Sequence, residues 1–360
     1  MRAVSIAVRS FRNLADAAIE LPGPGVALVG PNGQGKTNLL EALAYPVLFR
    51  SVRGAPDREV ARFGGPGFQV AVTTATGSTI AATYVAAERR KRINVDDEEQ
   101  PTIAGAIGRW LVVGFFPTDL ALVQGGAAER RRWLDRMLSL ADRGYLDALL
   151  RYRAALAQRN AALRSGDAVA AGAFDLALAR NGAVVTTQRR AWVHDAGESW
   201  RQELDALGEP APVGLRYRGD EALDEPAAWV ERLEAALPRD IMRGQTHVGP
   251  HRDDIGLSLG GHALRHYGST GQQRSAAVAL RLLELETLAR SRATRPTLLV
   301  DDVFAELDHD RQRRLASRLA AKPGQRVVTA PRAEEIPREL DLPRWTMRDG
   351  RVAPMGSTAA

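Results

Sequence analysis

Gly30, Pro31, Asn32, Gly33, Gln34, Gly35, Lys36 and Thr37 follow one another in a spacing that suits a triphosphate. The glycines let the backbone curl so that successive N–H groups face an anion. The lysine can reach the β and γ phosphates, and the threonine hydroxyl can hold a magnesium ion. A second chemical group is Asp301-Asp302, which closes the apolar run Thr297-Leu298-Leu299-Val300. An acid at the end of a parallel strand can hold the metal beside the phosphates, through water. A neighbouring acid off the metal can orient or deprotonate an attacking water. Asp301 takes the first role here and Asp302 the second. A third group, Ser269-Thr270-Gly271-Gln272, stands ahead of a helical pattern over 276–288, where a serine and unpaired amides form another anion site. One chain does not need two wraps for the same phosphates, so this second site is expected to serve the γ-phosphate held by a partner subunit.

The elements that must position these groups can be read around them. Val26-Ala27-Leu28-Val29 is a strand running into the loop, and Asn38-Leu39-Leu40-Glu41-Ala42-Leu43 continues as a helix. A hairpin over 4–21 feeds that strand, and Phe68–Val72 and Thr79–Val85 read as two further strands. From Gly125 alternation gives way to alanine, leucine and arginine at helical spacing. Tyr145, Leu149, Tyr152, Leu156 and Leu163 mark one long helix and Phe174, Leu178, Val185 and Trp192 another, across the break Ser165-Gly166-Asp167. These helices form either an antiparallel coiled-coil-like arm or an ordinary bundle. Glu209-Pro210-Ala211-Pro212 ends them, and Val213–Tyr217 reads as a return strand. Because the glycine loop and the paired acids are far apart in sequence, the helical insertion must leave and rejoin a single head. The expected fold class is α/β: a P-loop sheet with flanking helices, an antiparallel β subdomain and an inserted helical coiled-coil-like arm. The expected spans are 1–124 and 241–360 for the head and 125–240 for the insertion.

Composition narrows the partners. The 360 residues carry a formal net charge of +6 and a sequence pI near 10.0, a balance suited to a polyanion such as nucleic acid. There is no cysteine, which excludes a disulfide framework, a zinc ribbon and a thiol nucleophile. No apolar run reads as a membrane span or a signal-peptide core, so a cytoplasmic protein without a membrane partner is expected. Arg130, Arg131 and Arg132, the candidate DNA contacts, open the insertion helix, with Arg151, Arg153 and Arg159 farther along; the alternative is a solvated helix face, since Asp135, Asp142 and Asp147 dilute the stripe. With no helix-turn-helix or stacking platform, recognition should be of phosphate and shape. Arg50, Arg53, Arg58 and Arg62 belong either to a solvated connector or to a sensor of nucleotide or DNA. The basic run Arg89–Arg92, set against Asp96–Glu99, reads as a hairpin tip. His247 and His251 lack an evident third ligand for a metal, and are expected to be structural or nucleotide-proximal.

Taken together, the loop, the strand-end acids, Ser269–Gln272 and Glu306-Leu307-Asp308 resemble the ABC-type ATPase heads of the SMC group. The resemblance narrows to the RecF family of bacterial recombination mediators. It rests on Phe11-Arg12-Asn13, Gly30–Glu41, Phe116-Pro117-Thr118-Asp119-Leu120, Arg131–Asp135, Gln158-Arg159-Asn160, Thr246–Asp254 and Leu298–Asp308, blocks spread over nearly the whole chain in family order. It implies ATP and Mg2+ as cofactors, Arg12 and Asn13 among the nucleotide-binding residues, and Ser269, Gly271, Gln272 and Asp308 meeting a nucleotide in trans. It further implies an ATP-dependent homodimer that binds single-stranded, double-stranded and gapped DNA, hydrolyses ATP slowly, and acts with RecO and RecR to load RecA. The sequence departs from the wider ABC pattern at Gly268, Thr270, Asp302 and Thr329-Ala330, where leucine, glycine, glutamate and a switch histidine are common. A shorter base and a missing imidazole both point to a slow timer. Against the ATP-gated DNA clamp stand a transporter-type ATPase with a membrane partner and a plain scaffold that holds ATP as a structural ligand.

Overall fold

The computed structural model describes residues 2–209, 212–220 and 225–355, so Pro210 and Ala211 of the expected insertion end lie outside the described residues. The chain divides into two compact units, residues 1–119, 206–208 and 280–360 forming the first and residues 120–205 and 209–279 the second. Mixed α/β structure makes up the first unit, and helices dominate the second.

The first unit is built on a six-stranded sheet in the order Arg351–Pro354, Arg344–Arg348, Gly25–Val29, Arg326–Ala330, Thr297–Asp301, Val112–Phe115. All its pairings are parallel except that of the edge strand Arg351–Pro354. Gly25–Val29 and Thr297–Asp301 are buried along their whole length, which is why both read as unbroken apolar runs rather than as alternating ones. Parallel strands deliver their carboxyl ends to the same edge, and here those ends carry Gly30 and Asp301. A second six-stranded sheet, antiparallel, runs Ala17–Glu20, Ala3–Arg9, Gly67–Thr74, Thr79–Val85, Arg90–Val95, Glu98–Glu99. Its inward side chains alternate, with Ile6, Val8, Phe68, Val70, Val72, Ile80 and Ala82 buried. It packs on the helix Lys36–Leu48 through edge-to-face contacts of Phe11, Tyr45 and Phe68, with ring centroids 5.0 to 6.0 Å apart. The basic run and the acids opposite it form the expected hairpin, with Arg89 in the turn that precedes it and Asp96-Asp97 at its tip. Arg90 opens a strand, the turns fall before it and at Asp96-Asp97, and Arg90 and Arg92 pair with Glu99 and Glu88.

The second unit holds the helices Ala127–Ala141, Arg143–Arg164, Asp175–Ala206 and Pro226–Arg243 and a three-stranded sheet ordered His262–Ala263, Asp254–Leu259, Val213–Arg218. Asp142 caps the second of these helices through the Tyr145 N–H. The two long helices expected from sequence are present, but the core shows a bundle rather than a two-helix arm. Trp229 and Leu233 of Pro226–Arg243 pack against Tyr152 and Ala155 on one long helix and Leu178, Ala179 and Ala183 on the other. Gly182 makes room for this third helix, since a Cβ there would lie 2.6 Å from the Trp229 ring. The helical stretch 168–206 is long and apolar enough by composition to cross a membrane, yet its Leu178, Ala179 and Val185 are buried in the core. The unit boundaries also differ from the expected spans. Strand Asp254–Leu259 pairs antiparallel with Val213–Arg218, which places it, and the Ser269–Gln272 segment after it, in the second unit.

Candidate functional site

The glycine loop joins the strand Gly25–Val29 to the helix Lys36–Leu48 within the first unit. Two of its glycines are required by geometry. Gly35 is the N-cap at φ 110°, a left-handed conformation, and Gly30 lies so close to the neighbouring strand that a Cβ would stand 2.4 Å from the Met347 carbonyl oxygen. Lys36 is 4% exposed and curls back over the loop, its Nζ donating to the carbonyls of Gly30 at 2.7 Å and Pro31 at 3.2 Å. Gln34 clips the loop to the turn of the edge hairpin, accepting from the Gly350 N–H through its carbonyl and from the Asp349 N–H through Oε1. No side chain caps the helix start. Its amides are thus left for an anion.

The paired acids meet this loop. Thr37 Oγ1 donates to Asp301 Oδ1 at 2.9 Å across 264 positions of sequence. Thr329 lies on the adjacent strand, and its hydroxyl is 2.9 Å from Asp301 Oδ1 and 3.2 Å from Asp302 Oδ1 while accepting from the Asp302 N–H. A hydroxyl carries a single proton, so the shorter contact assigns it to Asp301. Burial pushes the Asp301 carboxyl up to about 6, against the pull of the two hydroxyls, and the charge of Asp302 adds to the rise. A cation placed here would reverse that shift, and hydroxyl and carboxylate oxygens are the hard donors that magnesium takes. Asp302 itself sits at φ 50°, turned out of the strand and into the pocket.

The pocket has a volume of about 440 Å³, within the range of small-molecule sites. Asn32, Gly33, Gly35, Lys36 and Thr37 line one side, Asp301 and Asp302 another, and Asn38, Arg53 and Phe116-Pro117-Thr118 the rest. Of the four connector arginines, Arg53 alone is among the lining residues, with Nη2 donating to Asn38 Oδ1 at 2.6 Å. The Phe116–Thr118 wall has its own anchor. Asp119 accepts from the Phe116 N–H and takes two bonds from the buried guanidinium of Arg281, which also pairs with Glu284. Arg12 and Asn13 are not among the lining residues. Arg12 neutralises the fully buried Glu41 of the loop helix and donates to the Glu59 carbonyl, and Asn13 bonds the Gly33 carbonyl and receives the Asn38 amide. Both side chains thus brace the glycine loop and the start of its helix.

Residues 5–104 match the family model described as an AAA domain. The chain is 37% identical to the DNA replication and repair protein RecF of Anaeromyxobacter dehalogenans strain 2CP-1, with 99% of the chain and 100% of the relative covered. It is 36% identical to the RecF of Frankia alni, with 98% and 99% covered. The chain belongs to the RecF family. A solved structure of the recombination mediator protein RecF with ATP, in the RecFOR pathway, superposes with a TM-score of 0.88 at 28% identity, covering 98% of this chain and 97% of that one. An Smc head from Pyrococcus furiosus superposes with a TM-score of 0.57 at 15% identity, a likeness of fold alone, over 98% and 96% of the two chains.

Ser269 and Gln272 form a reciprocal capping box at the start of the helix Thr270–Ser291. Ser269 Oγ accepts the Gln272 N–H, Gln272 Oε1 accepts the Ser269 N–H, and Gly271 lies in the same first turn. The helix therefore starts ahead of the expected Ala276. Asp308 caps His309–Ala321 through the Arg311 N–H and pairs with the Arg311 side chain. Two arginines expected at DNA are structural instead. Arg130 is buried, bidentate to Asp254 and bonded to the carbonyls of Leu122 and Gly125. Arg159 is fully buried between Asp175 and Asp240. Arg132 is exposed and pairs with Glu129. His247 bonds Asp240 and His251 bonds Tyr152, so both rings are engaged inside the second unit.

Proposed function

We propose that this chain is an ATP-dependent DNA-binding protein of recombinational repair and replication. ATP closes two copies into a dimer, slow hydrolysis releases them, and with RecO and RecR the dimer helps load RecA on gapped or single-stranded DNA. The observation that carries the reading is the hydrogen bond from Thr37 to Asp301, which brings the two halves of a triphosphate site into one pocket from opposite ends of the sequence. The residues fit ATP and Mg2+. The loop amides and Lys36 would take the phosphates, Thr37 and Asp301 the metal, and Asp302, beside the metal, the attacking water. The metal would supply charge neutralisation at the phosphates. Thr329 stands where an imidazole would polarise that water, and its hydroxyl is already bonded at the acids, which supports a slow reaction. The curated relatives are DNA replication and repair proteins, and the ATP-bound neighbour is a recombination mediator, which favours DNA over a membrane permease as the partner.

The reading implies that the pocket of one copy is completed by Ser269, Gly271, Gln272 and Asp308 of another. Ser269, Gly271 and Gln272 belong to the second unit, and the residues that line the pocket belong to the first. Two variants test this by sedimentation and turnover with ATP and Mg2+. Asp302→Asn is expected to keep ATP binding, cut hydrolysis at least tenfold and prolong the dimer; unchanged turnover would take Asp302 out of the reaction. Ser269→Arg is expected to leave the monomer able to bind ATP while abolishing pairing, because a long cation replaces the small hydroxyl at the helix start. If that variant dimerises as the native chain does, the trans site is refuted.

A further inference from the structure

The second unit contains a cavity of about 250 Å³ whose lining includes Arg131, Arg153, Arg189, Asp135, Tyr152 and His251. The carboxylate is already spent. Asp135 Oδ1 accepts from both Nε and Nη2 of the buried Arg189 and from the Tyr145 hydroxyl, and Oδ2 accepts from Arg153 Nη2 at 2.9 Å. One negative charge thus serves two guanidinium groups. Arg131 adds a third. Its Nη1 donates to the Asp253 carbonyl oxygen at 2.6 Å, a neutral acceptor, and among the described residues it forms no salt bridge. Burial lowers its pKa, and the charge of Arg189 pushes the same way. Of the neighbouring acids, Asp254 is paired with Arg130, while the Asp253 carboxylate, bonded only by the neutral Tyr217 hydroxyl, keeps its charge near Arg189, Arg131 and Arg190.

The two aromatic polar groups in the lining do not correct the imbalance. His251 Nε2 lies 2.9 Å from the Thr246 carbonyl and must donate to it, so Nδ1 of a neutral ring is the acceptor for the Tyr152 hydroxyl at 2.6 Å. Burial holds this imidazole down, at about 4, and it stays neutral at physiological pH. Arg131, Arg153 and Arg189 are thus set against two carboxylates, Asp135 and Asp253, which leaves one positive charge in surplus, with arginine forks suited to oxyanions. At about 250 Å³ it is smaller than pockets that enclose whole small molecules, a size for one anionic group.

We propose that this cavity is a phosphate-binding site in which Arg131 and Arg153 grip a single phosphate group, either of a DNA backbone or free in solution. The DNA source rests on the function proposed above; the free source does not. The test uses the full chain and the double variant Arg131→Gln/Arg153→Gln, with Arg201→Gln, an exposed arginine paired with Glu198, as control. In the first arm, binding to a gapped duplex with ATP and Mg2+ is measured against salt concentration. Loss of one backbone contact makes the logarithmic salt slope shallower by about 0.9 and weakens binding about tenfold near physiological salt. In the second arm, the melting temperature is measured in inorganic phosphate and in chloride at equal ionic strength. The glycine loop is intact in all the proteins, so a phosphate-specific rise that the double variant lacks belongs to the cavity. A change in the first arm assigns the site to DNA, and a change in the second alone assigns it to free phosphate. No change in either overturns the proposal. If the native chain does not retain DNA at all, the proposed function fails while the second arm still decides the cavity. Should the double variant melt early, Arg153→Gln alone, at a side chain 54% exposed, must show the same trend at smaller size.

Discussion

Lys36→Met is expected to abolish ATP binding and ATP-dependent pairing together. Lys36 supplies the ammonium of the glycine loop, and it is held ready, Nζ bonded to the carbonyls of Gly30 and Pro31. A triphosphate offers better acceptors than those neutral oxygens, so the lysine exchanges two carbonyl bonds for charge-assisted ones on binding. Methionine matches the length and the apolar stem and removes only the charge and its donors. The expected loss is about a hundredfold or more in affinity, equivalent to about 2.8 kcal/mol. Equilibrium binding of a fluorescent ATP analogue reads the affinity, and sedimentation in saturating ATP and Mg2+ reads the dimer. The native melting temperature without nucleotide checks that the loop still folds. Native dimerisation by this variant would sink the assignment of the loop.

How far the sequence foretold this molecule depends on how local each signal is. The glycine loop and the strand-end acids were legible because burial on both faces forces unbroken apolar runs, and the strand ends need particular residues at fixed spacing. The helix Pro226–Arg243 was not read from the sequence, although it completes the core of the second unit. Trp229, Val230, Leu233, Leu237 and Ile241 do recur there at helical spacing, and Pro238 inside the helix is the feature that obscures the pattern. Arg130 was misassigned for a different reason, and the carboxylate partner of Arg12 was equally hidden. An arginine beside a functional block reads the same whether it faces a ligand or a buried carboxylate, and only the fold brings Glu41 to one and Asp254 to the other. The block Phe116–Leu120 was recognisable as a family feature, yet its physical sense needed the structure. Three of its residues wall the pocket, and Asp119 is the tether that Arg281 holds.

Arg159 shows what such a buried arginine does, and Arg159→Met is expected to be the most destabilising single change in the second unit. Its guanidinium is fully buried, with Nε on Asp175 at 2.7 Å, Nη1 on Asp240 at 2.7 Å and on Thr246 Oγ1 at 2.9 Å. It therefore ties the helices Arg143–Arg164, Asp175–Ala206 and Pro226–Arg243 to the segment that carries His247 and His251. Burial raises the pKa of Asp175, and Arg159 is what draws it back down. Methionine fills the volume of the stem but leaves two carboxylates facing each other without a cation. Breaking a buried pair from one side costs about 3–5 kcal/mol, more than the pair contributes over an apolar substitute. Urea unfolding followed by tryptophan fluorescence suits the test, because Trp229 lies in the core cluster of the same three helices. Removing the stranded charges as well, in Arg159→Met/Asp175→Asn/Asp240→Asn, should recover a large part of the loss. A single variant that unfolds within about 1 kcal/mol of the native chain would mean that solvent reaches this network, against its burial.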